Sequence, residues 1–111
     1  MNYVLDGDGR TPRREPDVLA WARWMESHDR RVAVTLVGPA DAPLHVSTVF
    51  LGIDHHFGLA PAAPVLFETM IFAPQGLAHE DYQERYATWD DAERGHVRAV
   101  AHAEGLVADQ S

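Results

Sequence analysis

The stretch His45–Ile53, HVSTVFLGI, decides the fold of this 111-residue chain. Its valine, isoleucine, threonine and phenylalanine side chains favour an extended backbone, because branched and aromatic groups pack well on a pleated sheet. Successive side chains of a strand point to opposite faces. One face therefore carries Val46, Thr48 and Phe50, and the other carries Ser47, Val49, Leu51 and Ile53. We predict a long strand here that forms the middle of a sheet.

Two further segments have the composition of strands. Arg31–Val37 alternates and is rich in β-branched residues, and Val65–Phe72 is apolar on both faces apart from Glu68 and Thr69. A strand that is apolar on both faces is typical of a central position with other elements packed on it. Tyr3–Leu5 predicts a short edge strand that ends at a turn-forming Asp-Gly cluster. The three longer segments indicate an antiparallel meander.

The first helix is predicted to open at Glu15, Pro16 and Asp17, since proline and carboxylates suit the first helical turn. Apolar residues then recur with a period of about 3.6 residues. This predicted apolar face consists of Val18, Trp21, Ala22 and Met25.

The last helix is predicted to begin at Thr88, with Asp91 completing an approximate capping box. Gly105 is a predicted C-terminal cap. Gly95 lies in the helix interior, where glycine lowers helix stability, and it indicates close approach of another backbone or room for a bulky neighbour. The polar stretch before this helix, residues 79–87, predicts a loop or a short irregular turn.

These elements follow one another in the order β-α-β-β-β-α. The predicted fold class is α+β, with an antiparallel meander sheet and two helices packed on it. A length of 111 residues, of which 46% are apolar, predicts a single domain over residues 1–111 with an ordinary hydrophobic core. Cysteine is absent, which excludes disulfides and thiolate metal sites.

The chain is acidic, with 17 acidic and nine basic residues and a formal net charge of −8. This balance disfavours nonspecific binding to nucleic acid or to an anionic membrane, because both depend on positive charge. The N-terminus carries acidic residues where a signal peptide is positive. No apolar run reaches the roughly 20 residues of a membrane span. We therefore expect a cytoplasmic protein.

The densest polar cluster is formed by Asp54 and His55, with His56 beside them, at the end of the long strand. Carboxylate and imidazole groups can bind zinc or a related divalent metal. Adjacent side chains of an extended chain diverge, so a metal site needs distant partners, for which Glu68 and His96 are candidates. Alternatively, Asp54 accepts backbone hydrogen bonds in the turn. No cofactor other than such a metal is expected.

Other polar and aromatic residues allow two interpretations each. Glu68 interrupts an apolar strand, so its carboxylate either needs a basic partner or lies on the outer face of the sheet. His96 is typical of a hydrogen-bonded core histidine as well as of a ligand. An exposed Trp24 on the flank of the first helix would mark a binding surface. The candidate binding residues are Asp54, His55, Glu68 and Trp24, and no catalytic residue is assigned.

Several blocks of sequence also point to a possible source, and together they cover most of the chain. They include Tyr3–Gly7, Leu19–Trp24, Val46–His55, Phe67–Met70 and Tyr86–Trp89. The chain resembles, through these blocks, a widespread family of small, uncharacterised bacteriophage and prophage proteins. The resemblance implies a phage or prophage origin, and it favours Asp54, His55 and Glu68 over His56.

Three functions are compatible with these features. The first is an accessory protein, not an enzyme, that binds and inhibits a host protein such as a defence or transcription component in the host cytoplasm. The second is a metal-dependent hydrolase or nucleotide-handling enzyme that uses Asp54, His55 and Glu68. The third is a sponge for a small signalling nucleotide, for which arginines beside a tryptophan would be needed and which the net charge serves poorly. A homo-oligomer is compatible with each.

Overall fold

The computed structural model describes residues 1–54 and 63–109, and only the backbone of residues 78–81. The described part of the chain forms six strands and two helices. They are β1 (Tyr3–Leu5), β2 (Pro12–Arg14), α1 (Val18–Ser27), β3 (Arg31–Val37), β4 (Leu44–Phe50), β5 (Phe67–Phe72), β6 (Ala78–Tyr86) and α2 (Trp89–Asp109). The predicted α+β class is confirmed. None of the helices in these ranges has both the length and the apolar composition of a membrane span.

The main sheet is an antiparallel meander in the order β3-β4-β5-β6, and β1 and β2 form a separate hairpin. Strand β4 has the predicted alternation, because Val46, Thr48 and Phe50 are fully buried on one face. The strand ends at Phe50, earlier than predicted, since Gly52 has a φ of 76° and turns the chain away from the sheet. We call the face that carries these three residues the inner face and the opposite one the outer face.

Strand β6 corrects the prediction of a loop or a short irregular turn for residues 79–87. Its polar composition reflects a strand at the edge of the sheet, which within the described part of the chain pairs with β5 alone. Tyr82, Glu84 and Tyr86 alternate with the exposed Gln83 and Arg85. A solvated edge strand needs few apolar residues, so its signal resembles that of a loop. The β2 strand is equally short of apolar residues and was also missed.

Helix α2 packs on the inner face of the sheet. The core between the helix and the sheet has three layers that follow one another along the strands. Apolar side chains form the two outer layers: at one end lie Phe50, Phe67 and Ala92, and at the other lie Val46, Ile71, Ala99 and Ala103. Between them is a polar layer formed by Thr48, Thr69 and His96. The cross-strand pairs Thr48–Thr69 and Phe50–Phe67 fix this order.

Helix α1 packs beside the β1–β2 hairpin and carries no fully buried residue. Asp17 is its N-cap and accepts hydrogen bonds from the N–H groups of Leu19 and Ala20, so Pro16 lies just before the helix. Trp21 Nε1 donates to the Gly52 carbonyl oxygen at 3.0 Å. The predicted apolar face holds only in part, because Val18 is 60% exposed.

Helix α2 differs from its prediction at Gly105 and agrees with it at Gly95. It continues to Asp109, so Gly105 lies inside the helix and is not its C-cap. Gly95 lies under the ring of Tyr86, and a Cβ there would overlap the tyrosine hydroxyl and ring carbons. The prediction of room for a bulky neighbour at Gly95 is confirmed.

Candidate functional site

Asp54 makes two hydrogen bonds that fix its position after β4. Its carboxylate accepts a hydrogen bond from the Val65 N–H at 2.8 Å. Its own N–H donates to the Met1 carbonyl oxygen at 3.1 Å. Asp54 therefore links Val65 to the N-terminus, and it accepts a backbone hydrogen bond as the structural alternative above expects. His55, the other half of the predicted pair, lies outside the described residues.

Glu68 lies on the outer face of the sheet, in a cross-strand pair with Arg85. The Arg85 Nε donates to Glu68 Oε2 at 2.8 Å, and the Gln83 side chain donates to the same oxygen at 2.8 Å. The Glu68 side chain is only 12% exposed. Its carboxylate therefore has a basic partner, and it also lies on the outer face of the sheet. Both alternatives given for Glu68 in the sequence analysis are thus met.

His96 lies on the opposite side of the sheet, in the polar layer of the core. Its Nδ1 is 2.8 Å from Thr48 Oγ1, and its Nε2 is 2.8 Å from Thr35 Oγ1. Both ring nitrogens are thus engaged by hydroxyl groups. Glu68 is adjacent to Thr69, which faces His96, so the two proposed ligands point to opposite faces and cannot bind one ion together. No group of three potential metal ligands occurs among the side chains of residues 1–54, 63–77 and 82–109.

The hydroxyl groups around His96 form a continuous chain. Thr48 and Thr69 are joined by a hydrogen bond of 2.5 Å, and the Tyr86 hydroxyl donates to Thr69 at 3.1 Å. One direction of donation satisfies every member: Tyr86 to Thr69, Thr69 to Thr48, and Thr48 to Nδ1 of His96. The Nε2–H of a neutral His96 then donates to Thr35. Burial raises the pKa of Tyr86 to about 12, so the whole chain is uncharged at neutral pH.

This arrangement predicts that the protein loses stability in mild acid. Burial lowers the pKa of His96 below its ordinary value of 6.5. Above this value both the folded and the unfolded histidine are neutral. As pH falls below it, the unfolded chain binds a proton that the folded chain does not, so the free energy of unfolding decreases.

The measurement is urea unfolding between about pH 7.5 and pH 5. The difference in unfolding free energy between the wild type and His96→Gln should fall with pH. The glutamine of this variant cannot take up a proton. The exposed carboxylates of Asp8 and Asp29 have pKa values of about 2, so they titrate below this pH range. A difference that stays constant over this range would contradict a buried, neutral His96.

Trp24, the remaining candidate, lines an open cavity of about 350 Å³ between α1 and the β1–β2 hairpin. We call this cavity the Trp24 pocket. It is lined by Leu5, Asp6, Gly7, Gly9, Trp24, His28 and Asp29. The indole stacks on the His28 imidazole with ring centroids 4.6 Å apart, and its edge meets Phe50 at 5.8 Å. The ring is thus packed against the core and stacked on His28, and it forms part of the lining of the pocket.

Two carboxylates line the Trp24 pocket, and each is paired with an arginine. Asp29 accepts two hydrogen bonds of 3.0 Å from the Arg31 guanidinium, which hold the pKa of Asp29 at about 2. Asp6 accepts a hydrogen bond of 3.1 Å from Arg13 Nε. Aromatic and carboxylate groups in one open cavity can receive a cationic group, which gains from the ring face and shares the carboxylates with Arg13 and Arg31.

Sequence reasoning found Trp24 but missed the aspartates beside it. Asp6 belongs to the turn-forming Asp-Gly cluster after β1, and Asp29 follows the end of α1. The two segments are 23 positions apart, and the packing of α1 on β1 brings them together. The acidic residues in both segments could have indicated this site from the sequence. Whether they lie side by side depends on the angle between α1 and the β1–β2 hairpin.

Comparison of the chain with protein-family models, curated proteins and solved structures gives no match.

Proposed function

We propose that this protein acts by binding another protein, and that the Trp24 pocket receives a basic side chain of that partner. The observation that supports the proposal is the indole ring of Trp24 in an open cavity with the carboxylates of Asp6 and Asp29. A guanidinium or ammonium group over an indole gains about 0.5–1 kcal/mol at an exposed site. Tryptophan is also among the residues that dominate the energetics of protein interfaces.

The charge of the whole molecule supports the same choice of partner. A net charge of −8 attracts basic surfaces and accelerates their encounter with the protein. The same charge and the two aspartates repel phosphate groups, so an anionic nucleotide is a poor ligand for this pocket. The resemblance to bacteriophage proteins makes a host protein the proposed partner, and the host cytoplasm the proposed compartment.

The stacked histidine indicates how a partner would enter. His28 is exposed, and its Nδ1 is held only by the Ser27 hydroxyl at 2.9 Å and the Trp24 carbonyl oxygen at 3.0 Å. Its flat ring covers the face of the indole that an arginine side chain would use. A partner arginine can replace the imidazole there while its charge meets Asp29.

The test uses nuclear magnetic resonance of the labelled protein with two small probes, an N-acetylated arginine amide and the matching glutamate amide. The arginine probe should shift the Trp24 indole and His28 signals, and the glutamate probe should not. The double variant Asp6→Asn/Asp29→Asn should bind the arginine probe about tenfold more weakly, which corresponds to about 1.4 kcal/mol. Asp91→Asn, a surface carboxylate on α2 paired with Arg94, is the matched control.

A second stage uses the immobilised protein and a bacterial lysate. A genuine partner is retained by the wild type and by Asp91→Asn and is lost from Asp6→Asn/Asp29→Asn. Equal responses to the two probes, or retention of the same proteins by all three variants, would remove the support for this site.

A further inference from the structure

The two edges of the main sheet differ in their protection against pairing. Strand β6 carries charged and polar side chains along its length, including Glu84 and Arg85. Strand β3 at the other edge has the sequence RVAVTLV, in which only the first residue is charged. Among the described residues β3 pairs with β4 alone. Natural proteins protect exposed edges with charges, prolines or covering elements, and a long apolar edge without them pairs with another strand.

The outer face at this edge exposes two apolar side chains. Val34 is 46% exposed and Leu36 is 59% exposed, although both lie in the middle of a strand. An open cavity of about 490 Å³ lies beside Val34, and its lining mixes apolar and polar residues, among them Phe72, Pro74, His45, Ser47 and Gln75. The apolar surface at this edge therefore consists of Val34 and Leu36, and the face beyond them is mixed.

We propose that two copies of this chain associate through their β3 strands, antiparallel about a two-fold axis at Thr35, and join their sheets. In this register Val34 of each copy lies opposite Leu36 of the other. Directly opposed side chains point to the same face, so these four exposed residues cover one another. The symmetric, isologous contact closes after two copies, which is the commonest form of protein oligomer.

The charges at the ends of β3 permit this orientation. Asp29, Arg30 and Arg31 lie at its start, where Arg31 is paired with Asp29, and Asp41 follows its end in the turn before β4. With the axis at Thr35, the two arginines of one copy lie near Asp41 of the other, and Asp29 lies opposite Asp41. Each end of the contact then carries two arginines and two aspartates, so the contact is neutral although each molecule has a net charge of −8.

Analytical ultracentrifugation of the full chain over a wide concentration range tests the proposal. The wild type should approach twice 12.3 kDa as concentration rises. Salt should strengthen the dimer, because it screens the repulsion between two acidic molecules. Leu36→Lys should weaken the dimer by at least about tenfold, because an edge lysine opposes strand pairing. Val97→Lys changes an equally exposed apolar residue on α2 and should dimerise as the wild type does.

The absence of cysteine allows a second test of the register. A mixture of Val34→Cys and Leu36→Cys should form the mixed disulfide in preference to either homodimer, since opposed residues are about 5.5 Å apart and within disulfide range. A wild type that stays monomeric at every concentration and salt, or a Leu36→Lys variant that dimerises normally, would overturn the proposed interface. Predominant disulfides between identical variants would overturn the register.

Discussion

Replacing Gly95 with alanine should destabilise the protein by about 2–3 kcal/mol, the upper range for overpacking a core. Helix propensity alone predicts the opposite, because alanine is about 1 kcal/mol better than glycine in a helix interior. The new Cβ would overlap the hydroxyl and ring carbons of Tyr86. Either α2 must lift from the sheet or Tyr86 must leave Thr69, and both weaken the polar layer.

Gly105 offers a matched control in the same helix. A Cβ at Gly105 would meet nothing within 4 Å. Gly105→Ala should therefore stabilise the protein by about 0.5–1 kcal/mol. Urea unfolding followed by circular dichroism measures both variants. In a Tyr86→Ala background the loss caused by Gly95→Ala should disappear. If both glycine variants shift stability in the same direction, the contact between Gly95 and Tyr86 does not govern the packing of α2.

Replacing Thr48 with valine should cost about 1–3 kcal/mol, although the two side chains have nearly the same shape. Thr48 is fully buried and connects His96 to Thr69. Valine leaves Nδ1 of His96 without a donor and Thr69 without an acceptor. A buried polar group that loses its partner retains the full penalty of its removal from water.

Thr48→Ser is the control for this substitution, because it keeps the hydroxyl and removes only a methyl group. It should cost about 1 kcal/mol, the value of one buried methyl group, and should leave the pH dependence of stability intact. Thr48→Val should be less costly in a Thr69→Val background, since both ends of the shortest hydrogen bond are then removed together. A valine variant as stable as the wild type would show that the hydroxyl chain contributes little.

The local elements of this fold were largely predictable. Strand β3 was predicted at its observed bounds, and the buried face of β4 followed from the alternation of Val46, Thr48 and Phe50. Such patterns are local, because one strand or helix buries one face. The edge strand β6 escaped prediction, since its stability comes from pairing with β5 and from the inward side chains of alternate residues.

The candidate sites were less predictable than the fold. Glu68 and His96 were grouped as possible ligands, yet the alternation of the sheet separates them onto opposite faces. Trp24 was a predicted binding residue, but the aspartates that line its pocket lie in segments that meet only through packing.

The sequence by itself determined the strand over His45–Phe50, its buried face and close packing at Gly95, because these depend on side-chain type and spacing within one element. Only the tertiary structure decided which surface is unprotected and which residues share a pocket. Those properties arise where elements distant in the chain come into contact, and their relative positions are set by the packing of the whole core. The long strand therefore predicted the sheet. The exposure of the β3 edge and the composition of the Trp24 pocket depend on how the other elements pack around that sheet.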